Sequence, residues 1–228
     1  MSLRHGINIL ISVFLFLSTA NLETAVNPVT IAYQGSIYEI PGYISEGVIS
    51  VKCSDIVNII DKEQVYEGEN IQYSNELITI RKFTEITGLK ILWEEKTKTI
   101  IFTGNVKPSK LSNNDIKLIS QVLAIDWLNV KSKEDAFNYF SKFLSPSLSK
   151  VMAEDVWNFV KEPTDWHFSY SLGNLSLLDE GVKYKVILAT IIENQGNKHN
   201  EGYGLFTIEQ QHSGEWLVTG MRFSWPNN

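Results

Sequence analysis

Four side chains in the second half of the sequence, Asp126, His167, Tyr170 and Tyr184, belong to types that exchange protons, and acid–base work inside an apolar cavity is the chemistry they could do. Asp126 directly precedes Trp127. Neighbours on a helix point about 100° apart, so a Trp127 that faces the core sends Asp126 towards solvent. His167 follows Trp166 on a strand-like run, where neighbours face opposite sides, and alternation alone leaves open which of the two is inside. His199 falls in a polar run and His212 in a tight turn, and both read as solvent-facing. No pair of histidines has ligand spacing, and zinc or copper needs several donors converging on one point. There is no G-x-S-x-G, no nucleotide-binding glycine loop and no Ser/His/Asp pattern. The chain therefore reads as noncatalytic, with no metal and no cofactor. Trp127, Trp166, His167, Tyr170 and Tyr184 stand as candidates for the lining of a ligand pocket. The rival reading is a small-molecule isomerase or hydratase in which Asp126, His167 or Tyr184 is the acid or base.

The elements that must position these residues run from Ser112 onward. Ile116, Ile119, Val122, Leu123 and Trp127 recur at helical spacing behind an N-cap at Ser112 or Asn113. A second helix fits Lys133 to Leu144 and a third runs from about Ser147 to Val160, with Pro146 at the stop of one or the start of the other. Four strand-like runs follow, about Trp166 to Leu178, Val182 to Glu193, Gly202 to Gln211 and Trp216 to Trp225. A tight turn at Asp179 to Gly181, a polar loop from Asn194 to Glu201 and a turn at His212 to Gly214 separate them. Short links between neighbouring strands favour an antiparallel meander, curved so that its concavity buries the helices.

The first half has a different pattern. EGVISVKCSDIVNII from Glu46 pairs with NELITIRKFTEITGL from Asn75 at an offset of 29, and each copy reads as a short strand leading into a short helix. Gly88 is placed for a left-handed cap. KILWEE and TIIFTG then form a hairpin across the Lys96 to Lys98 turn, with Ile91, Trp93 and Ile101 expected to cover the helix. The expected class is α+β: a small strand–helix repeat domain, then three helices with a curved four-stranded antiparallel sheet in a cone-like arrangement. Residues 29–104 form the first domain, 105–111 the linker and 112–228 the second domain.

NELITIRKFTEITGLKILWEEKTKTIIF, from Asn75 to Phe102, resembles the copper amine oxidase N-terminal-like domain of Gram-positive surface proteins. Leu77, Ile80, Arg81, Phe83, Ile86, Gly88, Trp93, Thr97, Lys98, Thr99 and Ile100 carry the likeness, and VTIAYQGSIYEI from Val29 extends it loosely. Thr79 stands where the family has proline. The resemblance implies a noncatalytic envelope module, and Trp93 and Arg81 then read structurally, as core and as helix-start hydrogen bonding rather than ligand contact. Its name does not bring copper here, because residues 29–104 contain no histidine and a lone cysteine, Cys53. The order of elements from Ser112 and the closing GEWLVTGMRF are similar to the nuclear-transport-factor-2-like superfamily. That superfamily includes isomerases and dehydratases beside inactive members, so the likeness assigns no activity.

Composition sets the remaining bounds. The chain has 228 residues, 43% hydrophobic and 11% aromatic, enough for packed cores, and a net charge of −6 that offers no basic face to nucleic acid. Arg4, the apolar run from Ile7 to Leu17 and Ser18-Thr19-Ala20 follow the order of a secretory signal peptide. Its apolar stretch of about 11 residues falls short of the roughly 20 a spanning helix needs. Cleavage after Ala20 is expected, with a cut as late as Ala25 the alternative. The mature protein is then secreted or held at the cell surface with no membrane span, and one cysteine fits a bacterial envelope. Its expected partners are an envelope component or protein, a small apolar ligand and a second copy in a homodimer.

Overall fold

Two short segments, VTIAY and TIIFT, are apolar nearly throughout, a pattern that belongs to strands covered on both faces. The computed structural model, which describes residues 26–60, 76–103, 110–161, 169–195 and 198–226, places them side by side. Strand β1 (Asn27–Tyr33) pairs in parallel with β6 (Thr99–Thr103) at the centre of a six-stranded sheet. β2 (Ser36–Ser45), β3 (Val48–Lys52) and β4 (Leu77–Thr79) extend it antiparallel on one side, and β5 (Lys90–Glu94) closes the other, in the order β4-β3-β2-β1-β6-β5. Helices α1 (Cys53–Ile59) and α2 (Ile80–Thr87) lie over one face. Val29, Ile31, Tyr33, Ile100 and Phe102 meet Ile56, Val57 and Phe83 there.

The second half holds three helices, α3 (Asn113–Leu123), α4 (Lys133–Phe140) and α5 (Pro146–Val160), and a 3-10 turn at Trp127–Asn129. They are followed by an antiparallel sheet of β7 (Ser169–Glu180), β8 (Tyr184–Gln195), β9 (Lys198–Gln210) and β10 (Trp216–Ser224), in the order β10-β9-β8-β7. One face of this sheet, through Ile187, Ala189, Ile191, Phe206, Ile208 and Val218, packs on Ile119, Val122, Phe140, Ala153 and Val156 of the helices. The class is mixed α+β.

The opposite face of the four-stranded sheet meets the face of the first sheet that carries no helix. Ala32 and Ile101 from one sheet and Val186 and Leu205 from the other form a buried cluster, with Ile37, Leu178, Tyr184 and Leu188 around it. Polar bonds hold its margin. A register shift between Val218 and Gly220 turns Thr219 outward, and its hydroxyl donates to the Gly35 carbonyl. Arg222 donates through Nε to the Thr97 carbonyl at 2.9 Å and also bonds Glu39. Gly35 has φ +83, and a Cβ there would stand 2.8 Å from Cβ of Tyr184. The β1–β2 turn can approach the second sheet only without a side chain at that position.

Several expectations change. Ile101 faces the second sheet, while Ile100 and Phe102 face the helices. Ile91 and Trp93 are not core: on edge strand β5 they are 44% and 43% exposed, and the Trp93 indole donates to Glu95 at 2.6 Å. Arg81 is exposed, and Thr79 caps α2 by accepting from the Lys82 N–H at 3.1 Å. The repeat is displaced: helix starts Cys53 and Ile80, and buried Ile56 and Phe83, are 27 residues apart rather than 29. Within the polar run expected as a loop, Asn194 and Gln195 belong to β8 and Lys198 to Glu201 belong to β9, which pair out to Gln195 and Lys198. The first long helix stops at Leu123 and the second at Phe140, with Leu144 bridging to Val218 of β10 instead. The leader over residues 1–20, residues 105–109 of the linker, and Trp166 and His167 lie outside the described residues. Among the described residues no helix is long and apolar enough to cross a membrane.

Because Ile101 and Leu205 sit in one cluster from opposite halves, truncating each to alanine is expected to cost about 2 to 5 kcal/mol in urea unfolding. The double variant should depart from the sum of the two by more than about 0.5 kcal/mol. Simple additivity would mean that the halves do not share this core.

Candidate functional site

The helix-covered face of the four-stranded sheet contains a cavity of about 60 Å³. Val122 and Leu123 reach it from the last turn of α3, Ile125 and Trp127 from the segment after it, and Phe140 and Met152 from α4 and α5. Tyr170, Ile191, Met221, Phe223 and Trp225 line the sheet side. Trp127 packs edge-on to Phe159 at 5.6 Å between ring centres, and Phe206 to Phe223 at 5.8 Å, so the aromatic walls brace one another. Trp225 lies 6.3 Å from the Tyr170 ring and over Gly202, where a Cβ would stand 2.3 Å from the indole. Gly202 thus makes room on the sheet for the tryptophan that walls this end.

The position of α3 follows from its first turn. Ser112 Oγ accepts from the Asp115 N–H at 3.2 Å, and Asp115 Oδ2 accepts from the Ser112 N–H at 2.9 Å, a reciprocal capping box. Oδ2 also accepts from Lys185 Nζ at 2.7 Å, both side chains being mostly buried, and Lys185 lies over the Trp216 ring at 5.0 Å. Burial alone would raise the Asp115 pKa, but the bonds from Lys185 and Ser112 outweigh it and hold the carboxyl below its usual range. This pins the start of α3 to β8. An 11-residue helix is about 16 Å long, and Lys185 to Ile191 along the strand is about 20 Å, so the last turn of α3 arrives over Ile191.

Of the residues singled out in the sequence, Trp127 and Tyr170 line the cavity, while Trp166 and His167 are outside the described residues. Tyr184 is elsewhere. It belongs to the cluster between the sheets, where its hydroxyl donates to Asp179 Oδ2 at 3.0 Å, and burial together with that carboxylate pushes its pKa up. Asp126 is exposed and accepts from Asn129 Nδ2 at 2.6 Å. Among the described acid–base candidates, Asp126, Tyr170 and Tyr184, only Tyr170 reaches the cavity, and burial, followed by the nearby Glu193 carboxylate, pushes its pKa up.

Glu193 itself escaped the sequence reading. It pairs with Tyr170 across β7 and β8 and is buried, at 1% exposure. Period-two alternation carried the signal, since Ile187, Ala189, Ile191 and Glu193 share one strand face. It is the last residue of the strand-like run Val182 to Glu193, and its face was not assigned. Among the described residues no group of histidine, cysteine and acidic side chains is placed to hold a metal ion. No protein-family model matches the chain, and no curated protein matches it either.

The Asp115 pKa gives a signed pH dependence. A carboxyl held below its unfolded value of about 3.9 stabilises the fold above that pH, and the contribution is lost as pH falls through the folded value. Asp115→Asn is therefore expected to lower stability at pH 7 and to flatten the fall in stability below about pH 4, measured by denaturant unfolding across pH. An unchanged acid limb in the variant would remove Asp115 from the account.

Proposed function

We propose that this chain is an exported, noncatalytic binding module of a Gram-positive cell envelope, whose second half holds a small apolar molecule, or the apolar end of a larger one, in the cavity between α3–α5 and the sheet. The observation that carries the reading is the lining: apart from the Tyr170 hydroxyl and the Trp127 and Trp225 indoles, its side chains are aliphatic, thioether or phenyl. Such walls favour burial of apolar surface and offer little with which to stabilise a charged transition state. The scattering of Asp126 and Tyr184 away from the cavity supports binding over turnover in the same way.

The leader-like residues 1–20 and the single cysteine support export, with the first half as the envelope-facing module resembling the copper amine oxidase N-terminal-like domain. Three helices seated on one face of a four-stranded antiparallel sheet support the cone-like, nuclear-transport-factor-2-like reading of residues 112–228.

A ligand that binds only the folded state raises stability by mass action, by about 1.4 kcal/mol at ten times its dissociation constant. Saturating the buffer with n-pentane is expected to raise the unfolding midpoint of the natural chain. In Met221→Trp, whose larger side chain occupies the cavity, the rise should disappear. Absence of any rise in the natural chain, or an equal rise in the variant, would contradict the proposal.

A further inference from the structure

We propose that strand β5 is a self-association surface, on which a second copy of this chain adds its own β5 antiparallel across a two-fold axis and so joins the two six-stranded sheets edge to edge. The surface is separate from the cavity and does not depend on what the cavity holds.

β5 is the last strand on its side of the first sheet, and among the described residues no strand pairs with its outer edge. The outward N–H and C=O groups of an edge strand are a template for another chain, and folds blunt them with bulges, proline, charge or shortness. The other described edges carry such devices. β4 is three residues long, β7 shifts register twice, and β10 shifts it once, beside the contacts of Thr219 and Arg222 with the first sheet. β5 differs. Its pairing with β6 runs unbroken from Lys90 to Glu94, and its middle residues, Ile91, Leu92 and Trp93, are apolar and each more than a third exposed. The bond from the Trp93 indole to Glu95 holds that ring in place, so less side-chain freedom is lost on docking.

The strand's own sequence says what fits it. Run antiparallel against itself about Leu92, it sets Leu92 against Leu92, Ile91 against Trp93 twice, and Lys90 against Glu94 at both ends. A two-fold at Trp93 would instead set Lys90 against Lys96, and one at Ile91 would set Lys90 against Leu92. Glu94 is already bonded into its turn, so the opposite charges select this register and add little affinity. Five residues a side fall well below the about 20 of a standard interface, and the dimer is therefore weak and concentration-dependent.

The test is sedimentation velocity on the full chain from about 10 μM to about 1 mM, the range in which so small an interface associates. The mass of the natural chain is expected to rise towards that of a dimer. Leu92→Lys, which brings two like charges face to face on the axis, should stay monomeric. Trp93→Lys, on the other face of the strand, serves if that variant fails to fold. Oxidation should link Leu92→Cys into a disulfide dimer, because residues directly opposite have Cβ atoms about 4.5 to 5.5 Å apart. Ile91→Cys, whose own mate lies on the diagonal, should not link, and the natural Cys53 is buried. A natural chain still monomeric at the top of the concentration range, a lysine variant that associates as strongly as the natural chain, or Ile91→Cys linking as readily as Leu92→Cys overturns the proposal.

Discussion

Burial of two sheets against each other is the constraint on which the other features depend. Ala32 and Ile101 on one side and Val186 and Leu205 on the other lose contact with water only when the sheets stack. Each sheet is thereby left with one further face, and each covers that face with helices. β1 and β6 in the first sheet and β8 and β9 in the second are apolar in both directions for this reason, and the helices of each half belong on the outside. The bulge at Thr219 and the contact of Arg222 with the Thr97 turn add directed bonds to an interface whose driving force is undirected.

This arrangement gives the cavity a firm floor. With the opposite face of β8 and β9 held by the first sheet, Ile191 and Phe206 cannot drop away to fill space left between the helices and the sheet. The ion pair of Lys185 with Asp115 sets where α3 begins, and the helix length sets where it ends. A helix stopping at Leu123, followed by a 3-10 turn that brings in Trp127, leaves an apolar gap over Ile191 that no side chain among the described residues fills.

Much of the fold was legible where a local rule decides the outcome. Ser112 with Asp115 three residues on, Pro146 at a helix start and Gly88 in a left-handed cap, at φ +70, each act through their nearest neighbours, and the four later strands follow from their alternation. Long-range pairing was harder. Nothing near Ile100 and Ile101 says which faces helices and which faces another sheet, because both faces are buried, and Trp93 looked like core only because large aromatics usually are. Trp127 and Tyr170 could be named for the cavity from their size and setting, and Tyr184 could not be separated from them, since one strand position decides the face. The burial of Glu193 was not read from its place at the end of the strand-like run, because the pairing of β8 with β9 continues past it, beyond its own partner Asn200, to Gln195 and Lys198.

The most direct measurement on the central claim is a crystal structure determined under xenon pressure. Apolar cavities that stay dry take up xenon. One xenon site bounded by Trp127, Ile191 and Phe223 is expected, with the surrounding side chains unmoved. Ordered water hydrogen-bonded within that space, or Met152 and Met221 closed over it with no xenon, would contradict it.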